Sequence, residues 1–128
     1  MPYGPFTDLE QFSAWLKDRE ASRDPWFYAI INRHTGEACG MGSFMRADAV
    51  NGVIEIGHIW FSPALQRTRE ATEAIYLMIR HAFDDLGVRR LEWKCDALNK
   101  PSQAAAKRFG FTFEGIFRQH LIVKGRNR

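Results

Sequence analysis

The sequence contains little cysteine and no long apolar segment. Its 128 residues include only Cys39 and Cys95, too few for a disulfide framework and without the CxxC spacing of a zinc site. No apolar run approaches the roughly 20 residues that a membrane-spanning helix needs, and the first residues lack the pattern of a signal peptide. Internal repeats and low-complexity stretches are also missing. These absences predict a cytoplasmic protein with reduced thiols, no metal site and no contact with the membrane.

The residues that are present are typical of one globular domain. Apolar residues make up 45% of the chain and charged residues 26%, and 128 residues suffice for a single core. Residues 1–64 carry 5 Lys/Arg and 8 Asp/Glu, whereas residues 65–128 carry 13 and 7. The basic half suits an anionic ligand, such as phosphates or nucleic acid, and the acidic half suits a cationic amine. A solvated surface without any partner explains the same asymmetry.

Hydrophobic periodicity predicts an α+β fold in the order α, β, β, β, α, β, α, β. Three helices are expected, over residues 7–21, 68–86 and 99–109. Five strands are expected, over residues 26–31, 38–45, 53–61, 89–95 and 111–123.

Local signals define the ends of these elements. Thr7 and Glu10 form a capping-box pattern at the start of the first helix. Asn51-Gly52 predicts a two-residue hairpin turn between antiparallel strands. Asn99 is expected to cap the last helix, and Gly110 to end it. The apolar face expected for the second helix consists of Ala71, Ile75, Met78, Ala82 and Leu86.

Two segments carry the pattern that is most informative about function. The strand over 53–61 runs into the helix start Gln66-Arg67-Thr68-Arg69-Glu70-Ala71-Thr72, and Asn99-Lys100-Pro101-Ser102 later opens an Ala-rich helix. The first N–H groups of a helix have no partner within the helix, so such a start is an anion site. In this order the segments resemble the acyl-CoA motifs of the GNAT superfamily of N-acetyltransferases. The tail Glu114-Gly115-Ile116-Phe117-Arg118 is similar to that of its RimJ/RimL-like branch.

The resemblance covers about residues 8–125 and implies a mixed, mostly antiparallel central sheet flanked by helices. Residues 1–128 would form a single acyltransferase domain. Members of the branch usually have one more strand at each end, so we expect the domain to be incomplete at both ends. An unpaired sheet edge would then be exposed, and a homodimer is one way to cover it.

The resemblance also implies acetyl-CoA as a cosubstrate. Backbone groups of the strand end would bind the pantetheine arm, and one N–H would stabilise the oxyanion of the tetrahedral intermediate. The pyrophosphate pattern of the family is Gln/Arg-x-x-Gly-x-Gly/Ala, and here Arg69 stands where the first glycine is usual. An arginine can instead add a charge-assisted bond to the same anion. The expected cofactor contacts are Ile59, Trp60, Phe61, Gln66, Arg67, Thr68, Arg69, Glu70, Ala71, Thr72 and Asn99.

Two residues are expected to move protons while an amine attacks the thioester directly. Glu55 lies 11 residues before Gln66, similar to the glutamate base of some members, and would take the proton of the amine. Many members have a tyrosine acid where this chain has Ala106, so Ser102 is expected to protonate the CoA thiolate. The alternative for Glu55 is a charged strand residue that faces solvent, and the alternative for Ser102 is a serine that caps the helix. His58 is a further candidate base, with a structural role as its alternative.

We therefore interpret the chain as an N-acetyltransferase that acetylates a primary amine of a small molecule or a protein N-terminus. An acyl-CoA-binding regulatory module without turnover is the alternative, favoured by Arg69 and Ala106. Nucleic-acid binding by the basic half is disfavoured, because exposed aromatic residues are not interleaved with its charges. The four tryptophans are expected mainly in the core, with Trp60 able to border a substrate channel.

Overall fold

The fold is built on a four-stranded sheet whose strands follow the order of the chain. A computed structural model describes residues 3–128 and places the strands in the order β1-β2-β3-β4. The strands β1, β2 and β3 are antiparallel neighbours, and β4 runs parallel to β3. The predicted α+β class with a mostly antiparallel sheet is therefore confirmed. The four strands are β1 (Trp26–Ile31), β2 (Ala38–Asp48), β3 (Val53–Phe61) and β4 (Arg90–Trp93).

Three helices flank the sheet: α1 (Leu9–Glu20), α2 (Arg69–Arg80) and α3 (Lys100–Arg108). The second helix is shorter than predicted because a wider π-helical turn, His81–Asp85, follows it. In this turn the N–H of Leu86 donates to the carbonyl of His81, five residues earlier. Within residues 3–128, none of the helices has both the length and the apolar composition needed to cross a membrane.

The first helix is capped by a different residue from the one predicted. The Asp8 carboxylate accepts a bond from the N–H of Gln11 at 2.8 Å, while the Thr7 hydroxyl donates to Asp8. The prediction that Thr7 and Glu10 form a capping box is therefore wrong. A carboxylate is a stronger acceptor for the free N–H groups of a helix start than a hydroxyl is, so Asp8 takes the position.

The hairpin between β2 and β3 is confirmed, but its loop is longer than predicted. Asp48 pairs with Val53, so the connection comprises residues 49–52 rather than two residues. The Asp48 carboxylate accepts bonds from the backbone N–H and the side-chain amide of Asn51, at 3.0 and 2.7 Å. These side-chain bonds stabilise a wider turn, which the Asn-Gly pair alone did not indicate.

The core lies between α2 and one face of the sheet. Ile54 and Ile56 are two residues apart on β3 and point to this face, and Ile75 of α2 is fully buried against them. Leu86, which was expected on the same helical face, is 44% exposed because the π-helical turn changes the direction of the side chains that follow. The buried cluster consists of Phe44, Ile54, Ile56, Ile75 and Ala82.

The strand predicted over residues 111–123 is wrong. After residue 110 the only strands are β5 (Ile122–Val123) and β6 (Arg126–Asn127), and they pair with each other. Gln119 has φ of 52°, in the left-handed region, which interrupts an extended chain. Among the described residues no strand pairs with the outer edge of β4, so the segment lacks a neighbour that would make it a strand. An ion pair of Arg90 with Glu114 holds it beside β4.

Two glycines of β2 allow close approach of their neighbours to different degrees. A Cβ on Gly40 would lie 2.7 Å from the backbone carbonyl oxygen of Trp60, whereas one on Gly42 would meet the flexible end of Met78 at 2.9 Å. We expect Gly40→Ala to lower the free energy of unfolding by about 1–3 kcal/mol, because backbone atoms must shift. Gly42→Ala should cost less, and urea unfolding measures both. Equal losses would contradict this explanation.

Candidate active site

The parallel strands β3 and β4 pair only along part of their length. Ile56 lies opposite Trp93, which is the last residue of β4, while β3 continues to Phe61 alongside β2. The edge of residues 57–61 that faces away from β2 therefore has no strand partner among residues 3–128. Unpaired backbone N–H and C=O groups on one wall of an opening can bind the amide groups of an extended ligand.

A bulge at His58 bends β3 within this opening. Ser43 pairs with Gly57 and Met41 with Trp60, so two residues of β3 lie opposite one residue of β2. His58 has φ of 48°, which residues other than glycine rarely adopt. Bulges re-aim side chains and are common beside active sites. Nothing in the periodicity of the strand predicted this bulge.

The side chains at the end of β3 alternate between the core and the solvent. Ile59 and Phe61 pack against the buried cluster, whereas Trp60 is 46% exposed. Ligand contacts of Ile59 and Phe61 would therefore have to come from their backbone groups. The tryptophans were expected mainly in the core. This expectation is wrong for Trp60 and for Trp26, which is 48% exposed.

The start of α2 is fastened to the end of β3. Thr68 caps the helix, since its hydroxyl accepts the N–H of Ala71 at 3.1 Å. The Gln66 side-chain amide donates to the carbonyl of Phe61 at 3.1 Å and so ties the loop to the strand. The Thr72 hydroxyl donates to the carbonyl of Thr68 at 3.4 Å. These contacts position the helix start at the far end of the opening.

The same turn presents free hydrogen-bond donors. Among the described residues, the backbone N–H groups of Arg67, Arg69 and Glu70 have no acceptor. Arg67 has φ of 61°, in the left-handed region, and both arginine side chains are exposed. Adjacent free N–H groups at a helix start attract anions, and the arginines add positive charge.

Glu55 lies in a buried ion-pair network. Its side chain is 5% exposed, and its Oε2 accepts bonds from Arg46 at 2.5 Å and from Lys94 at 3.0 Å. The alternative of a solvent-facing residue is therefore wrong, because two cations compensate a buried carboxylate. Lys94 also pairs with Glu92, and hydrogen bonds from Lys94 and then Arg90 hold the pKa of Glu92 below its ordinary value. No hydrogen bond to Oε1 of Glu55 is formed by residues 3–128.

Ser102 lies at the first turn of α3, beside the end of β4. The predicted cap is confirmed, since the Asn99 side-chain oxygen accepts the N–H of Ser102 at 3.2 Å. The indole N–H of Trp93 donates to the Ser102 hydroxyl oxygen at 3.0 Å. An indole can only donate, so the hydroxyl proton of Ser102 stays available. The sequence interpretation missed Trp93, although an indole at the end of a strand could have suggested it.

The two predicted proton-transfer residues lie on opposite faces of the sheet. Glu55 and Lys94 contact each other on one face, whereas Trp93 packs with the core on the other face and contacts Ser102. This follows from the alternation of side chains along a strand. A ligand that passes between β3 and β4 would have a carboxylate on one side and a hydroxyl on the other.

A cleft of about 350 Å³ lies at the end of α1. Arg19, Ser22 and Phe27 are among the residues that line it. The loop that borders it also holds Asp24, whose carboxylate accepts the N–H of Arg46 at 2.9 Å. Among residues 3–128 no group of three or more His, Cys, Asp or Glu side chains is arranged to hold a metal ion.

Comparisons with known proteins identify the family. The acetyltransferase (GNAT) domain family matches residues 1–112. The chain belongs to this family. Its structure resembles that of a GCN5-related N-acetyltransferase from Brucella melitensis, with a TM-score of 0.96 and 48% identity. That alignment covers 100% of this chain and 58% of the Brucella chain.

Curated relatives point to the same family. The chain is 30% identical to the uncharacterized N-acetyltransferase p20 of Bacillus licheniformis, over 95% of this chain and 70% of the relative. It is 32% identical to the ribosomal-protein-serine acetyltransferase of Escherichia coli, over 65% of this chain and 46% of the relative. The chain thus spans about half the length of the Escherichia coli relative. The predicted resemblance to the RimJ/RimL-like branch is confirmed.

The buried position of Glu55 leads to a prediction about stability. Glu55→Gln removes the charge that Arg46 and Lys94 share, so it should lower the free energy of unfolding by about 1–3 kcal/mol. Glu92→Gln is the matched control, because Glu92 is more exposed and its loss should cost less. Urea unfolding at neutral pH measures both variants. An unchanged midpoint for Glu55→Gln would show that the network contributes nothing to stability.

Proposed function

We propose that the protein transfers the acetyl group of acetyl-CoA to a primary amine by direct attack. The observation that carries this proposal is the opening between β3 and β4, which leads to the free donors at the start of α2. Membership of the GNAT family supports the same activity.

The pantetheine arm of acetyl-CoA lies along the unpaired edge of β3 in this proposal. Its amides bond those backbone groups of the segment Ile59, Trp60 and Phe61 that face away from β2, and a neighbouring N–H stabilises the oxyanion. The Asn99 amide group reaches the arm from the other wall, since only its oxygen is used by the cap. An extended ligand with amide groups suits an unpaired strand edge, because its amides can bond free backbone N–H and C=O groups as an added strand does.

The pyrophosphate binds at the start of α2. The N–H groups of Arg67, Arg69 and Glu70 donate to it, and the two guanidinium groups add charge-assisted bonds. Gln66, Thr68, Ala71 and Thr72 shape the turn that presents these donors, as their hydrogen bonds indicate. Arg69 in place of the usual glycine is compatible with this arrangement, because its side chain points to solvent.

The chemical step uses groups on both faces of the opening. The amine attacks the thioester carbon, the carbon–sulfur bond breaks, and the Ser102 hydroxyl gives its proton to the departing thiolate. Glu55 provides negative charge on the side of the amine, and its Oε1 is the oxygen through which it can accept a proton. The groups that serve the amine and the departing thiolate therefore lie on opposite faces of the sheet.

The acceptor enters from the face that carries Glu55. The cleft at the end of α1 lies beside the loop of Asp24, which bonds the backbone of Arg46, and is the entry that this proposal uses. A protein N-terminus and a small-molecule amine both fit such an open site, and the name of the Escherichia coli relative supports a protein acceptor. A homodimer that covers a free sheet edge belongs to the same proposal.

Thiol release from acetyl-CoA with a panel of amines and N-terminal peptides tests the function. Thiol release that depends on the amine, with an acetylated product in the mass spectrum, is the expected result. Binding of acetyl-CoA without acetylation of any amine would contradict the proposed transfer and favour a regulatory module.

Ser102→Ala tests the role of the hydroxyl within the same assay. We expect kcat to fall by about 10²–10⁴-fold with little change in the KM for acetyl-CoA, because only proton transfer to the thiolate is lost. Trp93→Phe is the matched variant, because it keeps the serine but removes the hydrogen bond from the indole. Its kcat should lie between those of the parent and of Ser102→Ala. A parental kcat for Ser102→Ala would refute the acid role.

A further inference from the structure

His58, at the bulge of β3, is a titratable side chain that the proposed reaction does not yet use. It is half-buried, and its ring nitrogens make no hydrogen bond with residues 3–128. A histidine with free ring nitrogens can exchange protons with a ligand.

The bulge places His58 on the same face as Glu55. The two residues are three apart, so a regular strand would point them to opposite faces. The extra residue opposite β2 and the φ of 48° at His58 reverse this alternation. The imidazole accordingly lies 5.2 Å from the ring of Phe27, on the face covered by α1. A conformation that is costly for a residue other than glycine persists where the surrounding structure holds it.

The surroundings of His58 favour its neutral form. Its ring stacks on that of Tyr3 at 5.7 Å, and Phe27 of β1 contributes no charge. Burial, then the charge of Arg19 on α1, and Arg46 on β2 lower the pKa of His58 below its ordinary value of 6.5, while the charge of Glu55 opposes them. A neutral imidazole at pH 7 is ready to accept a proton.

We propose that His58, in place of Oε1 of Glu55, accepts the proton of the attacking amine and that Glu55 stabilises the imidazolium ion that forms. This inference rests on the proposed acetyl transfer. As the amine nitrogen bonds to the acetyl carbon, its N–H bond breaks and the proton moves to the imidazole. The carbon–sulfur bond breaks and the thiolate takes the proton of Ser102. The serine recovers one from water, and the imidazolium releases its proton to the hydroxide that this leaves, so both residues return to their starting states.

The ion pairs of Glu55 explain why a second group is needed. Arg46 and Lys94 occupy Oε2, so the carboxylate is committed to a structural network on one side. His58 has no such partner among the described residues, and its ring lies on the face of the sheet from which the amine enters in the proposed reaction. Glu55 then acts through its negative charge, since an anion near the imidazole favours the protonated form.

The pH dependence of kcat/KM separates the roles of the two residues. The parent should lose activity as the pH falls through the pKa of His58, which lies below 6.5. His58→Gln should lower kcat by at least tenfold and abolish this acidic limb. Glu55→Gln should keep the limb but move it to lower pH, because the group that raised the pKa of His58 is gone. His34→Gln, in an exposed turn, is the matched control and should behave like the parent.

An acidic limb that survives in His58→Gln, or one that vanishes in Glu55→Gln, would overturn the assignment. NMR titration of the His58 ring provides a readout that does not depend on turnover. Its pKa should lie below the ordinary value of 6.5 and fall further in Glu55→Gln. If the parent acetylates no amine, the acetyl-transfer proposal fails, and an unshifted His58 titration in Glu55→Gln independently refutes the coupling.

Discussion

The parallel pairing of β3 and β4 ends at Ile56 and Trp93, and the candidate site depends on this ending. Because β4 stops there, the edge of residues 57–61 keeps unpaired backbone groups. Because Trp93 is the last residue of β4, its indole can reach Ser102 on the following helix. Because β3 continues, it leads directly to the start of α2. One interruption in a sheet thus brings together a strand edge, a hydroxyl and an anion site.

The other face of the opening is organised by a buried charge. The whole Glu55 residue is 4% exposed. The cations around its carboxylate are Arg46 of β2 and Lys94, which follows β4. A buried carboxylate with two cationic partners holds the surrounding strands in one arrangement, since loss of any partner leaves an uncompensated charge. The bulge at His58 adds an imidazole to the same face. Stability and chemistry are therefore linked at this position.

Much of the fold could be predicted from local signals. The strands Trp26–Ile31 and Val53–Phe61 begin and end where periodicity and turn residues place them. The cap Asn99 was also recognised, because a capping side chain acts on a backbone group only three residues away.

The rest depends on contacts between residues distant in the chain. The burial of Glu55 requires Lys94, and the bulge at His58 requires the register against β2, so neither leaves a periodic signal. The tail over residues 111–123 has the composition of a strand but lacks a neighbouring strand among the described residues. From the segments of the candidate site, sequence reasoning identified the family correctly. The contact of Trp93 with Ser102 and the Arg46–Glu55 ion pair emerged only from the structure.

Hydrogen exchange of backbone amides with two ligands tests most directly whether the opening binds acetyl-CoA. Acetyl-CoA should protect the amides within Ile59–Phe61 that face away from β2 and those of Arg67, Arg69 and Glu70, because bound groups exchange slowly. Acetyl-pantetheine, which lacks the phosphates, should protect only the amides of the strand edge. Protection by acetyl-CoA that is confined to other regions, such as the cleft at the end of α1, would contradict the proposed site.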